Sequence, residues 1–218
     1  MIAEGLFQTD REAATSPTVS ASKAGDIKYK DLNGDGKITY DQDKTIIGRS
    51  STPELNFGLN FTSSWKNFDF SFLIQGAAIC DNALMGWYDG IGWDDTQFTR
   101  TFYNNGNSPK YLIEGAWSPT NTSGTYPRLD NTWRAENNWA SSLWIKDGSY
   151  ARLKNVQIGY TLPKSVTKNL KLEARIYLAG TNLFTVSAFK YLDPEAPNVS
   201  NGYYPQQKTY SVGASVKF

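Results

Sequence analysis

The segment KTYSVGASVKF, residues 208–218, alternates apolar with small or polar side chains at every step. A period of two with one apolar and one polar face predicts a β-strand that has an apolar medium on one side and water on the other. A strand of a soluble β-domain has the same local pattern. The aromatic Phe218 at the end of the apolar face favours the closing strand of an outer-membrane barrel.

The same alternation recurs in four further segments, which are residues 55–65, 68–76, 150–162 and 170–180. Each is close to the length of about 9–11 residues that a tilted strand needs to cross a bilayer. The polar face of the fourth segment carries the charged side chains of Lys171, Glu173 and Arg175. A water-filled or plugged lumen accommodates such charges, and so does the solvated face of a soluble sheet.

The connections between these segments differ strongly in length. Residues 66–67 and 163–169 form short connections, whereas residues 77–149 and 181–207 form long ones. Short periplasmic turns that alternate with long extracellular loops are typical of outer-membrane barrels. The sequence therefore predicts an all-β fold, an antiparallel meander of transmembrane strands. Five strands cannot close a barrel, so we expect a part of a larger barrel or a chain that pairs with others.

The composition excludes several classes of function. The 22 Lys and Arg residues nearly balance the 21 Asp and Glu residues, so no nucleic-acid partner is predicted. The chain has no histidine, which removes the usual general base and the commonest metal ligand, and we predict no enzymatic activity. Residues 1–10 lack the features of a secretory signal, so we expect a cytosolic protein or a piece of a longer one.

The segment DLNGDGKI, residues 31–38, has the spacing of a calcium-binding loop. Oxygen ligands stand at the first, third and fifth positions, a glycine at the sixth, and a backbone carbonyl is expected from the seventh; these residues are Asp31, Asn33, Asp35, Gly36 and Lys37. The twelfth position is Gln42, with Asp41 and Asp43 on either side of it. The alternative is a turn cluster whose carboxylates bind their own backbone.

The long connection 77–149 is rich in tryptophan, with Trp87, Trp93, Trp117, Trp133, Trp139 and Trp144. Exposed indoles are suited to stacking on sugar rings or holding peptides. The alternative for each of them is a place in the small core that a long loop needs. The candidate substrate contacts are Trp87, Trp93 and Trp133.

Several stretches, in order along the chain, resemble SusC/RagA-type TonB-dependent outer-membrane receptors. They are GDIKYKDLNGDGKIT (25–39), TIIG (45–48), FDFSFLIQG (68–76), WSPTNTSGTYPRL (117–129), SSLWIKDGSYARLKNVQIGYTLP (141–163), YLAGTNLFT (177–185), DPE (193–195) and the final strand. The resemblance implies the C-terminal part of a 22-stranded barrel with an internal plug. The family usually ends the acidic loop with an Asp at the twelfth position, and here one extra residue moves that Asp to Asp43.

The resemblance further implies a function and partners. Such a receptor lies in the outer membrane of a Gram-negative bacterium, in contact with lipid, and imports oligosaccharides or peptides. The TonB complex drives it through N-terminal parts absent from this sequence, and a SusD-like surface lipoprotein covers its mouth. We assign residues 1–54 to an extracellular loop region, with the acidic loop at 31–43, and residues 55–218 to the five strands with the extracellular loop 77–149. The competing hypothesis is a soluble, calcium-stabilised, β-rich glycan-binding module.

Overall fold

The computed structural model describes residues 1–84, 110–129, 135–167, 172–189, 193–195 and 206–218. By their contacts these residues form two compact units. The first contains Met1–Arg49 and Asp81–Lys146, and the second contains Ser50–Cys80, Asp147–Glu195 and the last strand of the chain. None of the helices in the described ranges is long and apolar enough to cross a membrane.

The second unit is built on a five-stranded antiparallel sheet. Its strands, in spatial order, are β3 (Leu55–Trp65), β4 (Phe68–Ala78), β7 (Tyr150–Thr161), β8 (Glu173–Ser187) and β9 (Thr209–Lys217). The spatial order follows the chain order, as expected for a meander. The sheet is open, with β3 and β9 at its edges, so the predicted antiparallel strands are present in an unclosed sheet.

Strand register keeps apolar residues on one face across all five strands. Partner residues on neighbouring strands face the same side of a sheet, and the pairs run Phe61 to Phe72, Phe72 to Val156, Ile158 to Leu178, and Leu178 to Val212. The pairing shifts between Leu73 and Ile74 of β4 and between Leu153 and Asn155 of β7. These irregularities bend the strands locally without mixing the two faces.

The strand bounds differ from the predicted ranges at six ends. β7 ends one residue earlier, at Thr161, and β9 is one residue shorter at each end. β4 continues to Ala78, because Ala77 and Ala78 pair with the beginning of β3. β8 continues past Gly180 to Ser187, although Asn182 has a positive φ of 53°. Residues 170 and 171 of the fourth predicted strand lie outside the described ranges. The short helix α3 (Lys164–Thr167) lies within the short connection before β8.

The first unit consists of small elements around a compact core. They are β1 (Ala3–Leu6), α1 (Asp10–Thr15), β2 (Ile27–Tyr29), β5 (Asp81–Ala83), α2 (Lys110–Gly115), a 3-10 helix at Ala135–Asn138 and β6 (Ile145–Asp147). β1 pairs antiparallel with β2. Large buried side chains of this core include Phe7, Tyr29, Trp117, Tyr126 and Trp144, with Leu112 among them. The assignment of this region to the outside of the cell stays a prediction.

A buried carboxylate links the segments of the first unit. Asp26 accepts hydrogen bonds from Nε of Arg128 at 3.0 Å, from Nδ2 of Asn137 at 3.1 Å and from the backbone N–H of Lys23 at 2.8 Å. The backbone N–H of Arg128 donates to the carbonyl of Gly25 at 2.9 Å. The quoted stretches 25–39 and 117–129 are therefore neighbours, and Asp26 holds them together.

Candidate functional site: the two faces of the five-stranded sheet

One face of the sheet exposes a continuous apolar surface. Leu59 is 55% exposed, Trp65 67% and Val212 77%. On this face Phe61 stacks on Phe72 with ring centroids 5.3 Å apart. Soluble monomers rarely expose contiguous apolar patches larger than a few hundred Å². Such a surface is suited to contact with lipid or with another apolar surface.

Aromatic side chains gather at one end of the apolar face. Trp65 and Phe68 are partners across the turn between β3 and β4, and the Phe68 ring lies 4.7 Å from that of Tyr160. Nζ of Lys66 lies 4.7 Å above the Trp65 ring. Aromatic rings accompanied by a lysine are typical of a membrane–water interface, where an apolar ring meets a polar layer. This end of the sheet carries the short turns.

The opposite face carries polar groups across the sheet. Arg175 forms a two-bond ion pair with Asp69, with Nε–Oδ1 at 2.8 Å and Nη2–Oδ2 at 2.5 Å. The two residues lie on β8 and β4, and the guanidinium passes over Gly159 of the intervening strand. The guanidinium carbon of Arg175 also lies 5.1 Å from the Tyr177 ring centre. This face is therefore suited to contact with water or with polar protein segments.

The sequence placed Arg175 on the polar face but did not reveal its partner. The signal was present, because Asp69 is the only charged residue in the stretch 68–76. A lone acid on the polar face of a strand predicts a cation nearby on a neighbouring strand. Strand pairing links Asp69 through Gly159 to Tyr177, and Arg175 lies two residues from Tyr177 on the same face of β8.

The acidic loop is folded by its own side-chain-to-backbone bonds. Asp31 accepts from the backbone N–H of Gly34 at 2.7 Å and of Gly36 at 2.8 Å. Asn33 accepts from the N–H of Asp35 at 3.0 Å, and Asp35 accepts from that of Lys37 at 2.8 Å. No group of three or more His, Cys, Asp or Glu side chains in the described ranges is placed to hold a metal ion. Calcium binding therefore stays a prediction.

Asp43 closes the acidic loop from the inside. Its side chain is fully buried, and its two carboxylate oxygens accept from the backbone N–H of Thr39 at 2.7 Å and of Leu32 at 2.8 Å. The pKa of Asp43 is lowered, mainly by the hydrogen bond from the N–H of Thr39. The hydrogen bond from Leu32 also lowers the pKa, whereas burial raises it. Asp43 thus stabilises the loop as a charged acceptor, and its role as a calcium ligand stays a prediction.

The described tryptophans of the long connection contribute mainly to the core. Trp144 is fully buried and donates from Nε1 to the carbonyl of Asn137, and the buried Trp117 donates to Oε1 of Gln8. Trp139 is half-buried, with its ring 5.3 Å from that of Tyr40. The three predicted substrate contacts, Trp87, Trp93 and Trp133, lie outside the described residues.

Known proteins similar to this chain include several TonB-dependent receptors. No protein-family model matches the chain. TonB-dependent receptor P26 of Formosa agariphila is 31% identical over 229 residues, which cover 98% of this chain and 22% of that protein. TonB-dependent receptor SusC of Bacteroides thetaiotaomicron is 26% identical over 87% of this chain and 17% of its own length.

Solved structures with a similar fold include those of the RagAB peptide importer. The RagAB peptide importer in its open-open state matches with a TM-score of 0.66 at 22% identity, over 100% of this chain and 22% of that one. A further structure of the RagAB peptide transporter matches with a TM-score of 0.62 at 25% identity, over 87% and 21% of the two chains. The chain thus spans about a fifth of the length of the relatives it matches.

Proposed function

The chain is a relative of the SusC/RagA-type TonB-dependent receptors, and from that premise we propose that its sheet is the C-terminal part of the barrel wall of such a receptor. TonB-dependent receptors are outer-membrane transporters of Gram-negative bacteria and are not enzymes. This kinship confirms the predicted location and the predicted lack of enzymatic activity. In our proposal the complete receptor imports oligosaccharides or peptides.

The exposed apolar face carries this proposal. In a barrel wall each strand presents every second residue to lipid and the others to the lumen. The sheet has this arrangement across five strands, with Phe61 and Val212 on the apolar face and the Asp69–Arg175 pair on the polar one. The aromatic end with Trp65 and Phe68 is then the periplasmic interface, and the opposite end, where β7 begins at Tyr150 and β8 ends at Ser187, is extracellular.

The partners follow from the same premise. The RagAB structures concern a peptide importer, and by analogy we propose a SusD-like lipoprotein partner at the extracellular end. The TonB complex would act through segments that lie outside this sequence. The roles of Trp87, Trp93 and Trp133 as substrate contacts belong to this proposal.

We also propose that the acidic loop binds calcium as a structural ion. The consecutive turns at Asp31, Asn33 and Asp35 place three oxygen-bearing side chains in one short loop. The carbonyl of Lys37 is the expected further ligand. Such hard oxygen ligands suit calcium. Added calcium should raise the melting temperature of the full-length receptor, a chelator should reverse the effect, and Asp35→Ala should abolish it. Equal melting temperatures with calcium and with chelator would contradict calcium binding.

Fluorescence quenching by brominated lipids tests the barrel-wall proposal. The full-length receptor is reconstituted in bilayers whose lipids carry bromine near the headgroups or near the bilayer centre. Trp65 should be quenched by the shallow bromines, and Trp65→Phe should remove that part of the quenching. Trp144→Phe is the matched control, because Trp144 is fully buried and should not contribute.

The competing hypothesis predicts a different outcome. A soluble calcium-stabilised module would stay monodisperse without detergent, and brominated lipids would not quench Trp65. Either observation would contradict a lipid-facing sheet, whereas aggregation on removal of detergent would eliminate the soluble module.

A further inference from the structure

Two carboxylates from the segment between β8 and β9 are held against β7. Arg152 donates from Nη2 to Oδ1 of Asp193 at 2.7 Å, from Nη1 to Oε2 of Glu195 at 3.0 Å, and from Nε to Oγ1 of Thr185 at 2.9 Å. Nζ of Lys154 lies 2.7 Å from the carboxylate of Glu195. All three nitrogens of the guanidinium are therefore engaged.

This cluster is largely shielded from solvent although every member except Thr185 is charged. The side chain of Arg152 is 5% exposed and that of Asp193 is 9% exposed. Removing one partner of a buried ion pair leaves an uncompensated charge, which is strongly unfavourable. Loss of Arg152 would therefore remove the cation that both acids share.

The acidic segment is itself organised to present both carboxylates. The backbone N–H of Glu195 donates to Oδ1 of Asp193 at 3.0 Å, which closes a short turn around Pro194. Proline fixes one backbone dihedral of the segment and so limits its conformations. The turn holds Asp193 and Glu195 at the spacing at which one guanidinium can reach both of them.

An extra residue in β7 turns the cations to this side. Two-residue steps back from Val156, which faces the apolar side, lead to Lys154 and Arg152. A regular strand would therefore expose both cations on the apolar face. The pairing of β7 with β4 instead skips Lys154, because consecutive residues of β4 have partners two positions apart: Leu73 with Asn155, and Ile74 with Leu153. A β-bulge of this kind changes the direction in which the following side chains point.

We propose that Arg152 and Lys154 form an ion-pair latch that fixes the Asp193–Glu195 segment on the polar face of the sheet, and that the bulge at Lys154 is what makes the latch possible. The latch consists of Arg152, Lys154, Thr185, Asp193 and Glu195, all within the second unit. Its position beside the extracellular mouth of the lumen rests on the proposed function. There it holds residues 193–195 in place.

Hydrogen–deuterium exchange with mass spectrometry tests the latch in the full-length receptor in detergent. Arg152→Gln should increase the exchange rate of the amides in peptides that cover 193–195 at least tenfold. Arg152→Lys should give an intermediate rate, because an ammonium cannot reproduce the three directed bonds of the guanidinium. Arg175→Gln is the matched control, since it breaks the Asp69–Arg175 ion pair of the same face and should leave these amides unchanged.

A second variant removes the acids instead of the cation. The double substitution Asp193→Asn with Glu195→Gln should accelerate exchange at 193–195 as Arg152→Gln does, and it covers the case in which Arg152→Gln does not fold. Unchanged exchange in these variants, or equal acceleration throughout β7 and β8, would overturn the latch. These measurements are independent of lipid contact, so the brominated-lipid experiment fails or succeeds separately.

Discussion

Arg175 and Asp69 bind each other across a strand that separates them, and Gly159 of that strand makes the contact possible. A Cβ atom at Gly159 would lie 2.3 Å from Nη2 of Arg175 and 2.5 Å from Oδ1 of Asp69. The glycine thus provides the space for the ion pair. A similar relationship recurs on the same row, where Gly213 lies under the ring of Tyr177.

We expect Gly159→Ala to lower the midpoint of chemical unfolding of the full-length receptor, because the added methyl group displaces the guanidinium. The loss should be smaller in an Arg175→Ala background, where part of the crowding is gone, since residues in contact give non-additive effects. Unfolding of the two single variants and the double variant gives the comparison. Additive losses would show that Gly159 acts through strand geometry and not through the ion pair.

The two faces of β3 should respond oppositely to a positive charge. Leu59→Arg places a charge in the apolar row near the middle of the strand. If this row faces lipid, as proposed, the charge should destabilise the membrane-inserted receptor by about 2–4 kcal/mol. Asn60→Arg, one residue further on, adds the same side chain to the polar face and should change stability little. Unfolding measurements in lipid bilayers check this pair, and equal effects would contradict the assignment of faces.

Asp26 should be important for the stability of the first unit. Asp26→Ala leaves the buried donors of Arg128 and Asn137 without this acceptor, which should cost about 2 kcal/mol of unfolding free energy. Asp10→Ala is the control, because Asp10 is exposed and accepts one backbone bond, from Ala24 at 2.9 Å. Denaturant titration followed by tryptophan fluorescence should separate the two, since Trp117 is buried in this unit. Similar unfolding midpoints for both variants would contradict this role of Asp26.

The acidic loop should lose stability in acid. The pKa of Asp43 is lowered in the folded protein, mainly by the N–H of Thr39, so its contribution is complete above the unfolded-state pKa of about 3.9 and is lost as the pH falls through the folded-state pKa. Asp43→Asn should therefore be less stable than the wild type at pH 6. The difference should shrink as the pH falls through the lowered folded-state pKa of Asp43. Thermal unfolding across this range checks the sign, and a constant difference would contradict it.

Regular alternation made β3 and the turn to β4 predictable from the sequence. The predicted bounds Leu55, Trp65 and Phe68 are those of the structure, because no irregular residue interrupts the period of two. The end of β8 was not predictable in this way, since Asn182 has a left-handed backbone conformation within the strand. The same holds for β7, in which the period of two places Arg152 on the wrong face.

The first unit was harder to predict, because tertiary contacts decide its structure. Trp144 packs against Tyr126, which is distant along the chain. It also donates to the carbonyl of Asn137, which belongs to a short 3-10 helix without a periodic pattern. In the acidic loop the spacing of Asp31, Asn33 and Asp35 fits both a calcium site and a turn cluster. The hydrogen bonds of the structure form these turns, and the turns fit a calcium site as well as a turn cluster.

The extra residue in β7 also affects how insertions and deletions in homologous genes should be interpreted. Deletion of Lys154 would remove the bulge and leave Leu153 on the apolar face and Arg152 on the polar face, because the pairing with β4 already skips Lys154. A one-residue gap at this position in an alignment is therefore compatible with the same two faces of the sheet. Receptors with that gap should keep the guanidinium beside the two acids and lose only the ammonium of Lys154.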